Sequence, residues 1–179
     1  MPTISTDGSS RFLATPLLTR AEEDSRLTIF RALVEAKVPA GTPLLTQGDP
    51  NKFLWFVEGG SITIERTQPD GRVDELAVLS GPAMYGTTTF FRSMAPSATI
   101  RAKDDLVVWM LDHRSHDRLR QDHPRAAEAL ALEVVRVLSE RFDQLDRRLA
   151  EMMAQHLDDH PRANEWANFR ARLFEEPSI

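Results

Sequence analysis

Residues 84–102 read MYGTTTFFRSMAPSATIRA, and this segment decides how the rest of the chain is interpreted. Gly86 is followed by threonines at 87–89, a pattern that predicts a tight turn opening a short helix. The first backbone N–H groups of a helix have no partner within it and attract anions. The segment contains no acidic residue, and its cations are Arg92 and Arg101. We therefore interpret it as a candidate binding loop that leads into a β-strand.

Short β-like runs separated by turn residues surround this segment from about 38 to 111. Asp70-Gly71 lies between two such runs and is a strong hairpin signal, because tight hairpin turns require a positive φ. Ile62 and Ile64 alternate with polar residues, as in a strand with one buried face. The runs predict a mainly β fold with helices, namely an antiparallel double-stranded β-roll of the jelly-roll type.

Helical patterns are predicted on both sides of the strands. An amphipathic helix is predicted over 17–36, and a short helix over 115–121. Pro124 is well placed as the first residue of a long helix that runs to about Leu157. The β-roll is therefore expected between an N-terminal helix and a long C-terminal helix.

Apolar residues recur along the long helix with alternating steps of four and three. Such a heptad pattern is typical of a coiled coil and predicts a parallel homodimer. The residues of this seam are Ala131, Val135, Leu138, Phe142, Leu145, Leu149 and Met152. In the first turns the helix can instead pack on the β-roll, through Leu130, Val134 and Val137.

Composition limits the classes of function. The chain has 179 residues, 41% of them hydrophobic, and a net charge of −5, which argues against a general nucleic-acid binder. It contains no cysteine, so disulfides and thiolate chemistry are excluded. We read no secretion signal at the start and no apolar run of membrane-spanning length, so we expect a cytoplasmic protein without membrane insertion.

These patterns predict four parts in the chain. They are a flexible N-terminus at 1–16, a β-roll domain with its N-terminal helix at 17–123, the long helix at 124–157 and a short helical tail at 158–179. The tail has room for one short helix with an aromatic face that includes Trp166. A helix-turn-helix needs two helices, so we expect no direct DNA binding. The aromatic face of the tail is expected to pack on the roll or on a protein partner.

The sequence contains few patterns typical of catalytic or metal-binding sites. A metal-dependent β-roll enzyme places histidines on its strands, whereas all five histidines here follow the predicted roll. His156 and His160 are spaced by four, but no second pair accompanies them. We therefore expect no metal, no catalytic residues and no enzyme.

The order of elements and the glycine-containing turns resemble the cyclic nucleotide-binding domain family over roughly residues 17–147. The residues that carry this resemblance are Ala40-Gly41, Gln47-Gly48-Asp49, Gly60, Asp70-Gly71-Arg72, Gly86 and Ser97-Ala98-Thr99. The resemblance implies a β-roll like that of catabolite activators, here without a DNA-binding domain.

The resemblance further implies that residues 84–102 form the cassette that cradles a cyclic phosphate. In the family, a glutamate after the glycine accepts a hydrogen bond from the ribose 2′-hydroxyl, and an arginine before serine/threonine-alanine neutralises the phosphate. Thr87 stands at the glutamate position and Pro96 at the arginine position. The candidate pocket residues are Tyr85, Gly86, Thr87, Thr88, Thr89, Arg92, Pro96, Ser97 and Ala98.

The missing pair changes the expected function. Removing the partner of a desolvated charge weakens binding by about thirty-fold to several thousand-fold. We therefore expect a non-catalytic regulatory or interaction module without a cofactor, in which Arg92 and Arg101 are surface charges. One alternative is a genuine receptor for cyclic AMP, cyclic GMP or a cyclic dinucleotide that uses Arg92. Another is an accessory subunit of a transporter, channel or shell assembly.

Overall fold

The computed structural model describes residues 6–92 and 94–156 of the chain. Within these ranges the helices are α1 (Thr6–Ala14), α2 (Glu23–Arg31), α3 (Thr87–Phe90), α4 (His113–Asp122) and α5 (Pro124–His156). The strands are β1 (Val34–Val38), β2 (Pro43–Leu45), β3 (Phe53–Val57), β4 (Ser61–Thr67), β5 (Val73–Ser80), β6 (Ala83–Tyr85), β7 (Thr99–Ala102) and β8 (Leu106–Asp112).

The strands form two antiparallel sheets of four. One sheet has the order β1-β8-β3-β6 and the other the order β2-β7-β4-β5. The predicted hairpin joins β4 to β5, with the Gly71 N–H donating to the Gln68 carbonyl at 2.9 Å. Gly71 has a φ of +84°, which glycine adopts without a steric cost. The antiparallel β-roll with flanking helices, as the sequence predicted, is thereby confirmed.

Two apolar clusters hold this fold together. The roll cluster takes residues from both sheets and contains Val38, Leu44, Val57, Ile62, Tyr85, Ala102, Leu106 and Val108. The helix cluster lies between the opposite face of the first sheet and the helices, and its largest members are Trp109, Phe12, Phe56 and Phe90. Alternation along β3 explains the division, because Val57 belongs to the roll cluster and Phe56 to the helix cluster.

The N-terminal part differs from the sequence prediction in two places. Residues 6–14, expected to be part of a flexible lead-in, form α1, and Phe12 is fully buried against Phe30 and Trp109. The helix predicted over 17–36 is only α2, and Val34 already begins β1. Val34 pairs with Met110 of β8, so sheet pairing overrides the helical periodicity at that end.

Of the C-terminal helices, α5 begins where the sequence predicted, whereas α4 begins at His113 rather than at Ser115. The Ser115 N–H donates to the Asp112 carboxylate at 2.6 Å and caps α4, which lowers the pKa of Asp112. Helix α5 begins at Pro124. The chain divides into two compact units, residues 1–138 and 139–179. In the first unit, Leu130 and Val134 are buried in the helix cluster, as expected of the first turns of α5.

Candidate ligand-binding cassette

Residues 84–102, the cassette, run from the end of β6 through α3 and a loop into β7. Gly86 precedes α3 with a φ of +84°. A β-carbon at this position would lie 2.7 Å from the Phe53 carbonyl oxygen and 2.8 Å from Asn51 Nδ2. Gly86 is therefore required both by its backbone conformation and by the close approach of the β2–β3 loop.

A network of buried polar groups holds the start of the cassette. Asn51 Nδ2 donates to the Thr89 hydroxyl at 3.0 Å, and the Phe53 N–H donates to Asn51 Oδ1 at 3.1 Å. The Gly86 carbonyl accepts from the N–H groups of Thr89 and Phe90. Asn51 and Thr89 are both buried. These bonds pair the buried Asn51 and Thr89 side chains with each other and with the turn.

The two positions that depart from the family pattern are both buried. Thr87, at the glutamate position, is 3% exposed. Pro96, at the arginine position, is also buried, and its carbonyl accepts from the Gly48 N–H at 3.0 Å. Proline has neither a cationic side chain nor a backbone N–H. Thus the far end of the cassette is bonded to the β2–β3 loop through a residue that cannot neutralise an anion.

The two arginines of the cassette differ in their surroundings. Arg101 Nε donates to the Glu65 carboxylate at 3.1 Å, and its Nη1 donates to the Gly41 carbonyl at 2.8 Å. It is half-buried, so the prediction of a simple surface charge describes it incompletely. Arg92 is exposed in the loop after α3. Of these two cations, only Arg92 carries no ion pair to a carboxylate among the described residues.

The remaining candidate residues differ in burial. Tyr85 is buried in the roll cluster, Thr88 and Ser97 are exposed, and Ala98 is half-buried. Asn51 was missed by the sequence analysis, although it bonds to the cassette directly. A single asparagine before a strand carries no signal for a contact with a residue 38 positions away.

An aromatic cluster connects α3 to α4. Phe90 is buried and stacks on the His113 ring with 4.2 Å between ring centroids. The His116 ring makes T-shaped contacts with the rings of Phe90 and Phe91, with centroid distances of 5.7 Å and 5.3 Å. Desolvation by burial lowers the pKa of His116. The short helix of the cassette therefore contacts the helix that immediately precedes α5.

The predicted seam on α5 is largely exposed. In the first unit Val135 is exposed and Leu138 is half-buried against the helix cluster. In the second unit Phe142 is 52% exposed and Leu145 is 61% exposed, and Met152 is exposed as well. Residues 157–179, which include the predicted tail helix, lie outside the described residues. Large apolar side chains exposed at heptad spacing are typical of an association surface.

The described residues also bear on metal sites and membrane spans. Neither 6–92 nor 94–156 contains three histidine, aspartate or glutamate side chains close enough to hold a metal ion. Within these residues, no helix has the length and apolar composition needed to span a bilayer.

Comparison with known proteins identifies the family. Residues 35–123 match the model of the cyclic nucleotide-binding domain, and the chain belongs to that family. A cAMP-dependent protein kinase regulatory subunit from Blastocladiella emersonii is 27% identical over 107 residues, which are 60% of this chain and 27% of that protein. The chain thus matches just over a quarter of the length of that relative.

Solved structures agree with this assignment. The N-terminal domain of a transcriptional regulator from Streptomyces coelicolor is 26% identical, with a TM-score of 0.62, over 74% of this chain and 95% of that one. A cyclic nucleotide-binding domain from Methylobacillus flagellatus is 18% identical, with a TM-score of 0.68, over 81% of this chain and 82% of that one. The second structure supports the fold alone.

Proposed function

We propose that the chain is a non-catalytic regulatory module of the cyclic nucleotide-binding family whose cassette has lost high-affinity binding of cyclic AMP and cyclic GMP. The observation that carries the proposal is the pair of buried residues at the two recognition positions, Thr87 and Pro96. Neither side chain is charged. The ribose hydroxyl and the phosphate therefore lose the groups that recognise them elsewhere in the family.

The bonding of the cassette supports this reading. The Gly86 carbonyl accepts from two amides of α3, Asn51 donates to the Thr89 hydroxyl, and the far end is bonded to Gly48 through the Pro96 carbonyl. Arg101, the one cation on β7, is paired with Glu65. A cyclic phosphate entering the cassette would lose its water of hydration without gaining a cationic partner from these residues, which costs affinity.

Arg92 carries the second candidate function, a receptor of altered chemistry. It is exposed in the loop between α3 and β7, so a rotation of its side chain could bring the guanidinium toward a phosphate held in the cassette. In that case Arg92→Ala abolishes binding. If the module has lost nucleotide binding, the same substitution has no effect.

Isothermal titration with cyclic AMP, cyclic GMP and a cyclic dinucleotide, up to millimolar ligand, tests the proposal. We expect no binding at micromolar ligand, because each missing charged partner weakens binding by about thirty-fold or more. If any of the three ligands binds at micromolar concentration and Arg92→Ala abolishes that binding, the chain is a receptor that uses Arg92 and the proposal is wrong. Lys103→Ala is the matched control, since Lys103 is also exposed and lies just beyond the cassette.

The output surface of the module, in this proposal, is the seam on α5. Exposed Val135, Phe142, Leu145 and Met152 support a parallel homodimer through residues 131–152. Residues 158–179 would then serve as a tail for a protein partner, and the module itself would not contact DNA. The alternative, an accessory role in a larger assembly, predicts that this assembly co-purifies with the chain from its native host.

A further inference from the structure

The seam on α5 has two borders that are set by the heptad pattern. The residue directly before each a position of the heptad (g) and the residue directly after each d position (e) flank the apolar stripe. In a two-stranded coiled coil these flanking residues face the partner helix and set its identity and orientation. From residue 135 onward the apolar positions are Val135, Phe142 and Leu149 (a) and Leu138, Leu145 and Met152 (d).

The charges on these borders are sorted by sign. Arg141 and Arg148 lie at g positions, whereas Asp146 lies at an e position. One border of the seam is therefore basic and the other is acidic. The remaining e and g positions between 132 and 153 carry no charge and are occupied by Leu132, Val134, Ser139 and Met153.

This sorting favours one orientation of a second chain. In a parallel, in-register pair, a g residue faces the e residue five positions later on the partner helix. Arg141 of one chain therefore faces Asp146 of a second copy, and the two-fold symmetry of the pair repeats this contact. In an antiparallel pair, g residues face g residues, so arginines would meet arginines. Attraction in one orientation and repulsion in the other select the parallel pair.

The surroundings of the two side chains suit an ion pair across the seam. Asp146 is half-buried in the single chain, and water and salt screen a partly buried charge less than an exposed one. Arg141 is exposed and precedes Phe142, which is 52% exposed. The aliphatic stem of an arginine can cover such an apolar neighbour while the guanidinium reaches a carboxylate.

We propose that Arg141 pairs with Asp146 of a second copy of this chain, and that the two symmetric pairs make the α5 seam selective for a parallel copy of itself. The inference rests on the homodimer proposed above and adds the residues that choose the partner. A chain with other charges at these two positions is a weaker partner than a second copy.

Charge reversal in the full-length protein tests the pairing, with dimerisation measured by sedimentation equilibrium. Arg141→Asp places carboxylates opposite each other in its homodimer, and Asp146→Arg does the same with guanidinium groups. We expect each change to weaken the homodimer by about tenfold. An equimolar mixture of the two variants should form a heterodimer as strong as the wild-type dimer, because both contacts then join opposite charges.

Arg147→Asp is the matched control. It makes the same change of charge on the same helix, but Arg147 is exposed at the f position, which faces away from the seam. It should leave the dissociation constant of the dimer unchanged. The weakening in Arg141→Asp and Asp146→Arg should shrink in about 1 M sodium chloride, because salt screens charge repulsion and does not repair a distorted helix.

The outcomes separate this inference from the homodimer on which it rests. If the wild-type protein dimerises and both single reversals dimerise equally well, the ion pair is wrong and the homodimer stands. A stronger homodimer of Arg141→Asp would indicate antiparallel helices and would also overturn the pair. A wild-type protein that stays monomeric up to millimolar concentration would overturn both the homodimer and the pair.

Discussion

The cassette and the α5 seam invert the usual placement of polar and apolar side chains. In the cassette the polar residues Thr87 and Thr89 are buried, together with Asn51 from the neighbouring loop. On α5 the large apolar residues Phe142 and Leu145 are more than half exposed. Buried polar groups persist when they are hydrogen-bonded within the protein, whereas exposed apolar groups at regular spacing persist when a partner covers them.

This difference indicates where the chain depends on another molecule. At the start of the cassette, Asn51 and the Gly86 carbonyl bond to Thr89 within the chain. On the seam, Phe142 and Leu145 are more than half exposed in the single chain, as the proposed dimer requires. We therefore expect substitutions in the cassette to change stability and substitutions in the seam to change association.

Leu145→Glu should have the largest effect on association. A carboxylate at the centre of an apolar seam must be desolvated on dimerisation, so the dimer should weaken by about a hundredfold or more. Sedimentation equilibrium of the full-length protein measures this directly. Gln144→Glu adds the same charge at an exposed neighbouring position and should leave the dimer intact. If Leu145→Glu leaves the dissociation constant of the dimer unchanged, the seam is not the dimer interface.

Gly86→Ala should cause the largest loss of stability in the cassette. The added methyl group would lie 2.7 Å from the Phe53 carbonyl oxygen, and the φ of +84° is strained for alanine. We expect the free energy of unfolding to fall by about 3 kcal/mol, measured by urea denaturation.

Gly71→Ala is the matched control, because Gly71 has the same φ of +84° but no heavy atom within 4 Å of the added carbon. It should cost only the backbone strain, about 1 kcal/mol. Equal losses in the two variants would mean that the β2–β3 loop does not confine the cassette.

The smallest effect is the pH dependence that His116 contributes. Its pKa is lowered by burial, so the unfolded chain binds a proton more readily than the folded chain. Stability should therefore be retained above the ordinary histidine pKa of about 6.5 and decrease as the pH falls below it. His116→Gln should flatten this part of the stability profile. An unchanged slope between pH 7 and pH 5 would exclude His116 as its source.

Much of the fold followed from local sequence patterns. The Asp70-Gly71 hairpin, the start of α5 at Pro124 and α4 were all predicted, because turn residues, capping and periodicity act over a few positions. The N-terminus was predicted wrongly. The polar residues around Phe12 carry no strong helical signal, and α1 is held by packing of Phe12 against Phe30 and Trp109.

The bounds of the cassette could be predicted from the sequence, but the contacts that its residues make could not. The glycine turn and the positions of Thr87 and Pro96 could be found from spacing and family resemblance. The Asn51–Thr89 bond and the Arg101–Glu65 pair join residues 38 and 36 positions apart. No local pattern encodes such pairs.

The sequence by itself determined the β-roll followed by a long C-terminal helix, the turn at Gly86 and the absence of a glutamate and an arginine at the recognition positions, because these depend on residue identity and short-range geometry. Only the tertiary structure decided that Thr87 and Pro96 are buried and that Arg101 is paired with Glu65. Burial and pairing depend on which distant strands meet, and that choice is made by the packing of the whole roll.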